Sequence, residues 1–235
     1  MGRAWIPASA MAVVVTVVVG LIAGCSSRPV SPPIVMPSVP SEPSAPSVSS
    51  APSTPAPSPS VAVSPAGYTF PVGGKAVSYQ RTHSGYQATD IFANCGSPVR
   101  AVTDGVVLEV SRVDRFDPAH PDNALKGGLF VSLKGDDGVR YYGAHFVALA
   151  DGIDKGVRVR GGQEIGKVGH TGNASNICHL HFGISPPCAG EGDWWIRRGV
   201  VWPWSYLDAW KAGQAKSPAA EVTKWHQQHG CPSEP

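Results

Sequence analysis

The stretch His179-Leu180-His181-Phe182, carried on to Ile184, reads as a β-strand. Apolar Leu180, Phe182 and Ile184 alternate with the two histidines, and a strand sends successive side chains to opposite faces. His179 and His181 therefore project together to one side. Two imidazoles on one face can share a metal ion, or one can bind it while the other works beside it. His83, Asp90 and His145 stand upstream as possible partners.

The flanking sequence supports a mostly β domain. Val99 to Val110 alternates around Asp104-Gly105, a turn signal between two short strands. Gly128 to Leu133 and Val139 to Tyr142 flank Gly135-Asp136-Asp137-Gly138, a hairpin of the same type. Val157 to Val159 and Glu164 to Val168 add further short strands punctuated by glycine, the spacing of a sandwich or barrel. Helix is expected only near the C-terminus. Ser205 to Lys211 forms a turn or two, and Ser217-Pro218 starts a helix, with serine as cap, proline at the first position and Glu221 in the first turn. Pro186, Pro187 and Pro203 argue that the intervening region turns rather than continues the sheet.

The front of the chain reads as an address. Arg3 precedes an apolar run, Ala10 to Gly24, of about 15 residues, short for a membrane span and right for the core of a signal peptide. It ends Leu21-Ile22-Ala23-Gly24-Cys25, which resembles a bacterial lipobox. That resemblance implies removal of residues 1–24, lipidation of Cys25, and a protein exported and anchored to the outer face of the cell membrane, in the cell-wall space. An ordinary secretory signal or a short membrane anchor is the plainer alternative, and each too exports the chain. Residues 26 to 66 are nearly all Ser, Pro, Ala and Val, with too few large side chains to build a core. Extended at about 3.1 Å per residue, such a tether reaches on the order of 100 Å.

Residues 67 to 235, about 170 in number, suffice for one core. The net charge of +2 gives no electrostatic support to nucleic-acid binding. Lys155, Arg158, Arg160 and Lys167 lie among apolar positions and read as solvated strand faces. Beyond Cys25 remain Cys95, Cys178, Cys188 and Cys231; an even number in an exported domain favours two disulfides over a cysteine-ligated zinc, since no C-x-x-C pair is present. Sequence leaves three pairings open. If Asp90 and His181 meet at one metal, Cys95 and Cys178 fall a few residues from that point, which favours Cys95–Cys178 with Cys188–Cys231. Trp194, Trp195, Trp202, Trp204 and Trp210 are dense enough for a carbohydrate-stacking surface, but core packing of a C-terminal extension is preferred. His120 and His170 have no motif partners, and His226 and His229 sit in a polar tail; all four read as surface residues.

Hydrolytic zinc takes three ligands from His, Asp and Glu and leaves a fourth position for water. A nearby imidazole moves the proton or stabilises the developing oxyanion. Such a site needs ligand and non-ligand histidines, and this domain offers both.

Several segments carry a more specific resemblance. Asp90-Ile91-Phe92-Ala93, Gly96-Ser97-Pro98-Val99, Ala101-Val102 and Asp104-Gly105-Val106-Val107 resemble the lysostaphin-type (LytM-like) zinc endopeptidases that cut peptidoglycan cross-links. So do Tyr142 to His145, Val157 through Gly169, Thr171-Gly172-Asn173 and His179-Leu180-His181-Phe182. The resemblance runs from about His83 to Ser185 in the family's order. It implies a mainly antiparallel β-sheet fold with an open groove over Zn2+, Asp90 and His181 as metal ligands, His145 and His179 as the pair that assists catalysis, and peptidoglycan peptides as substrate. The expected organisation is a lipoprotein signal peptide (1–24), a tether (25–66), a peptidase domain (67–190) and a Trp-rich extension packed on it (191–235), acting as a monomer.

One departure matters. The family's first ligand histidine stands four residues before the aspartate, where this chain has Tyr86; the nearest histidine, His83, stands seven before. In one reading Ser84-Gly85-Tyr86 loops out and His83 reaches the metal, a detour glycine makes sterically easy. In the other the ligand is lost and the domain is a degenerate module that binds the wall or activates another hydrolase. The first is preferred, because a decayed site has no reason to keep Asp90, His145, His179 and His181 together. Tyr86 reads as a packed aromatic.

Overall fold

The computed structural model describes residues 67–188 and 192–233. The expected leader, the lipidated Cys25 and the tether lie outside the described residues, as does the expected domain boundary at 190/191. Nine strands follow in order: β1 (Ser78–Tyr79), β2 (Ala88–Phe92), β3 (Pro98–Arg100), β4 (Gly105–Ser111), β5 (Leu129–Gly135), β6 (Arg140–Leu149), β7 (Arg158–Val159), β8 (Glu164–Val168) and β9 (His179–Ser185). Three helices close the chain: α1 (Trp194–Arg197), α2 (Trp204–Lys211) and α3 (Ala219–His229). All strand pairs are antiparallel, in the order β1-β2-β9-β6-β5-β4-β7, with β8 joining β6 to β3. The mainly β, antiparallel class predicted from the alternation is the observed one.

The hairpin around Gly135-Asp136-Asp137-Gly138 forms, as β5 paired with β6. The turn signal at Asp104-Gly105 does not make a hairpin. β3 pairs with β8, whereas β4 pairs with β5 and β7. The segment between them carries the chain from one part of the sheet to another, with Asp104 accepting a 2.7 Å hydrogen bond from the Gly161 N–H. β6 also runs past the expected end at Tyr142. Its first half pairs with β9 through Ala144↔His181, and its second half pairs with β8 from Phe146↔Val168. His145 sits at the changeover with φ 66°, in the left-handed region that non-glycine residues seldom adopt. An irregularity of this kind bends a strand and re-aims a side chain.

The core is one cluster shared by the strands and the C-terminal segment. Ile91, Phe146, Leu180, Ile184, Ile196 and Leu207 are fully buried in it. Trp210 is buried against Tyr68, Tyr141 and Phe182, and its Nε1–H donates to the Lys216 carbonyl at 2.8 Å. The helix at Ser217-Pro218 starts one residue later than expected; Ser217 Oγ accepts from the Ala219 N–H at 3.2 Å. Two ion pairs fasten α1 to the sheet: buried Arg140 to Asp193 at 2.8 Å, and Arg197 to Glu109 at 3.1 Å. Disulfides join Cys95 to Cys178 and Cys188 to Cys231. The first ties the chain leaving β2 to the chain entering β9, so it fastens the two strands that carry Asp90 and His181.

Candidate metal centre

Register builds the site. Asp90 in β2 lies directly across from His181 in β9, which lies directly across from Ala144 in β6. Alternation then places His179, His181 and Gly183 on one face of β9. His181 Nδ1 is 3.0 Å from Asp90 Oδ1, and His179 Nε2 is 3.8 Å from the same oxygen. Phe92, opposite His179, packs its ring against that imidazole at 5.6 Å.

His83 arrives from the irregular chain before β2. Gly85 has φ 89°, which turns the Ser84-Gly85-Tyr86 segment back on itself and brings His83 Nε2 to 3.7 Å from Asp90 Oδ2. Donor atoms of His83, Asp90 and His181 all lie within 4.8 Å of one another. Tyr86 packs its ring on His83 at 4.4 Å and on His181 at 5.8 Å. Burial pushes its phenol up to about 12, against the opposing Arg198 charge, so it stays neutral near pH 7.

The remaining histidines are held through backbone carbonyls. His145 Nδ1–H donates to Thr171 O at 2.7 Å, and His179 Nδ1–H donates to Ile177 O at 2.8 Å. Thr171 is itself pinned: its hydroxyl donates to Phe146 O at 2.8 Å and accepts from the Leu129 N–H at 3.0 Å. Each ring thus keeps Nε2 free for the cleft, with the two ring centroids 4.7 Å apart. Burial, then the neighbouring His181 and His179, bring the His145 imidazole down to about 3. Burial would raise the Asp90 carboxyl, but the hydrogen bond and charge of His181, with His179 and His83, outweigh it and hold Asp90 at about 2.

His181 has a second partner that the sequence did not reveal. Its Nε2–H donates to the Arg198 carbonyl at 2.9 Å. With Nε2–H on that carbonyl, Nδ1 is the atom that meets the Asp90 carboxylate: it donates its own proton there, as in the hydrogen bond that lowers the Asp90 pKa, or, without that proton, it turns a lone pair towards a cation shared with Asp90. Two acceptors facing each other at 3.0 Å require a proton or a cation between them. Tetrahedral zinc with bonds of about 2.0–2.1 Å puts its ligand atoms roughly 3.3 Å apart. The spacings of 3.0 Å from His181 Nδ1 to Asp90 Oδ1 and 3.7 Å from His83 Nε2 to Asp90 Oδ2 lie either side of that value, one at each carboxylate oxygen, so the donor set is compatible with zinc. The Arg198 backbone can reach this position because Gly183 has no side chain: a Cβ there would lie 2.6 Å from the Arg198 carbonyl carbon.

The other candidates separate cleanly. Cys95 and Cys178 gather with His170, and Cys188 and Cys231 with His226, but all four sulfurs are in disulfides and offer no thiolate. His120 is exposed beside Asp117, and His229 is an exposed residue stacked on Trp225. Trp195 and Trp210 join the expected core, Trp202 and Trp204 stay outside it, and so does Trp194. It is half-buried, within 4.9 Å of the Arg198 guanidinium and beside the cleft. Sequence offers little sign of Arg198 because it acts through a backbone atom; the glycine following it is the available signal. An open cleft of about 500 Å³ exposes the centre, lined by His83, Asp90, His145, His179, His181 and Arg198 among others.

Residues 83–191 match Peptidase family M23. The chain is similar to an L-Ala–D-Glu endopeptidase of Bacillus subtilis, 33% identical over 138 residues that make up 56% of this chain and 36% of the relative. It is also similar to the glycyl-glycine endopeptidase ALE-1 of Staphylococcus capitis, 35% identical over 98 residues, 41% of this chain and 24% of the relative. The chain thus spans about a third or less of these relatives. Among solved structures, the catalytic domain of the antimicrobial peptidase lysostaphin from Staphylococcus simulans aligns with 60% of this chain and 89% of its own, at 24% identity and a TM-score of 0.41. Over residues 83–191 the chain is thus similar to Peptidase family M23, and the histidine–aspartate centre lies within that match.

Proposed function

We propose that this chain is a zinc endopeptidase that hydrolyses peptide bonds in the stem peptides or cross-bridges of peptidoglycan, held at the outer face of the cell membrane by lipid on Cys25. The family match supports the reaction class, and the relatives named for L-Ala–D-Glu and glycyl-glycine bonds point to wall peptides. The observation that carries the reading is the face-off of His181 Nδ1 and Asp90 Oδ1 at 3.0 Å, with His83 beside them at one end of an open cleft. His83, Asp90 and His181 are the proposed ligands. Zinc bound there supplies Lewis acidity and an activated water at neutral pH. His145 and His179, each with Nε2 free, take up and return the proton and donate to the developing oxyanion. The Ser/Pro-rich segment is the tether that lets a monomeric domain search the wall.

The test is metal analysis and turnover on purified peptidoglycan. We expect zinc near one per chain and release of new amino termini, both lost in His181→Ala. Hydrolysis surviving in that variant refutes the ligand assignment. Zinc bound without turnover instead supports a wall-binding or hydrolase-activating module of the same fold.

A further inference from the structure

Arg198 is anomalous among the arginines around the cleft. Its neighbour Arg197 bonds both Glu109 oxygens and the Ala124 carbonyl, and Arg140 pairs with Asp193. The Arg198 guanidinium has no hydrogen bond or ion pair among the described residues, and its Nε is buried without a partner. It is not loose, however. Its carbon lies 3.9 Å from the Tyr86 ring centroid and 4.9 Å from that of Trp194, so two aromatic rings hold it while its in-plane N–H donors stay unused. Its own carbonyl is locked on His181 at 2.9 Å, which fixes the residue beside the proposed metal ligands. Lys126 lines the same cleft and has no ion pair among the described residues. Among the described residues, the one carboxylate lining that cleft is Asp90, which faces the histidines.

A planar, charged fork with no partner, immobilised at the edge of a peptide-binding cleft, matches the geometry of a carboxylate. We infer that Arg198 is a substrate-binding and specificity residue that engages a free carboxylate of the peptide beside the scissile bond, so that this domain selects acidic peptides over their amidated forms. The inference rests on the proposed peptidase reading for the place of the peptide, but its binding step needs neither metal nor turnover. No bond is made or broken at Arg198.

Two wall-type peptides that differ only in one group, carboxylate or carboxamide, test this. Binding to the metal-free chain is measured by calorimetry, which removes the metal as a competing carboxylate ligand; kcat/KM is measured on the zinc-loaded chain. The carboxylate form should bind about 10- to 100-fold more tightly, the range of a charge-assisted hydrogen bond. That ratio should fall to within about twofold in Arg198→Met, be partly kept in Arg198→Lys, and shrink with added salt. Equal binding of the two peptides by the native chain overturns the inference, as does a preference that survives in Arg198→Met. If the native chain alone can be prepared, the ratio and its salt dependence still decide. Hydrolysis without carboxylate preference rejects Arg198 and keeps the peptidase reading; preference without hydrolysis does the reverse.

Discussion

Gly183→Ala tests whether the Arg198 carbonyl sets which nitrogen of His181 faces the proposed metal. The added Cβ would stand 2.6 Å from the Arg198 carbonyl carbon and closer still to its oxygen, whereas ordinary contact starts at 3.4 Å, so the backbone must retreat by at least about 0.8 Å. A retreat along the hydrogen bond takes the 2.9 Å separation from His181 Nε2 to about 3.7 Å, beyond bonding range. His181 then loses the partner that holds its tautomer, and loss of such an outer partner typically weakens metal affinity by about 10- to 100-fold, or about 1.4–2.8 kcal/mol. Overpacking adds a separate loss of stability of about 1–3 kcal/mol. Gly143→Ala separates the two effects. Its Cβ would meet the Leu180 side chain of β9 at 3.1 Å and the Phe146 ring of its own strand at 3.2 Å, with no Arg198 atom among its nearest neighbours. Zinc affinity by chelator competition, read beside thermal melting, should show both variants less stable and Gly183→Ala alone weakened for zinc. A Gly183→Ala protein that melts earlier yet binds zinc within about twofold of the native chain would refute the reasoning.

Three further outcomes follow from the same contacts. His83→Ala should reduce bound zinc well below one per chain after dialysis against a weak chelator, whereas Tyr86→Phe should leave it near one, because the imidazole and not the phenol reaches Asp90. Asp193→Ala should destabilise the domain by about 3–5 kcal/mol in denaturant unfolding, since it strands the buried Arg140 guanidinium, whose Nε already lacks a partner. Burial holds the His145 pKa at about 3 when folded, below its ordinary 6.5, so the unfolded chain binds the extra proton between those values. The stability that neutral His145 allows is therefore fully present above about pH 6.5 and is lost as pH falls towards 3; melting between pH 7 and 4 should show a shallower decline in His145→Asn than in the native chain.

Local chemistry was legible in the sequence where a pattern and its consequence lie on the same few residues. The alternation of His179 to Ile184 specifies a strand and the side to which both imidazoles point, and Gly135-Asp136-Asp137-Gly138 specifies a turn whose two strands pair with each other. The reading of Asp104-Gly105 failed for the complementary reason. A turn signal reports that the chain changes direction, but which strand receives each arm depends on partners far away, here β8 for one arm and β5 with β7 for the other. Short β2 carries Asp90 at the decisive register position, yet Ala88-Thr89-Asp90-Ile91-Phe92 has too little length for alternation to announce it.

The site shows the same division, and it bears on how the centre is built. Side chains that do chemistry can be named from sequence, and the structure gathers His83, Asp90, His145, His179 and His181 at one cleft. What orients them is backbone: the Thr171 carbonyl for His145, the Ile177 carbonyl for His179, the Arg198 carbonyl for His181. Carbonyl oxygens are identical in every residue, so they leave no signature; only the conditions for their approach do. Here those conditions are Gly183, whose missing side chain admits the Arg198 backbone, and Gly199, whose φ of 131° turns the chain immediately after it. Arg198 and Gly199 lie beyond residue 191, where the family match ends. The C-terminal segment, fastened by the Arg140–Asp193 and Arg197–Glu109 pairs, therefore completes the histidine–aspartate centre rather than merely covering the sheet. Loosening either ion pair should disturb His181 from a distance, with zinc affinity falling before the fold is lost.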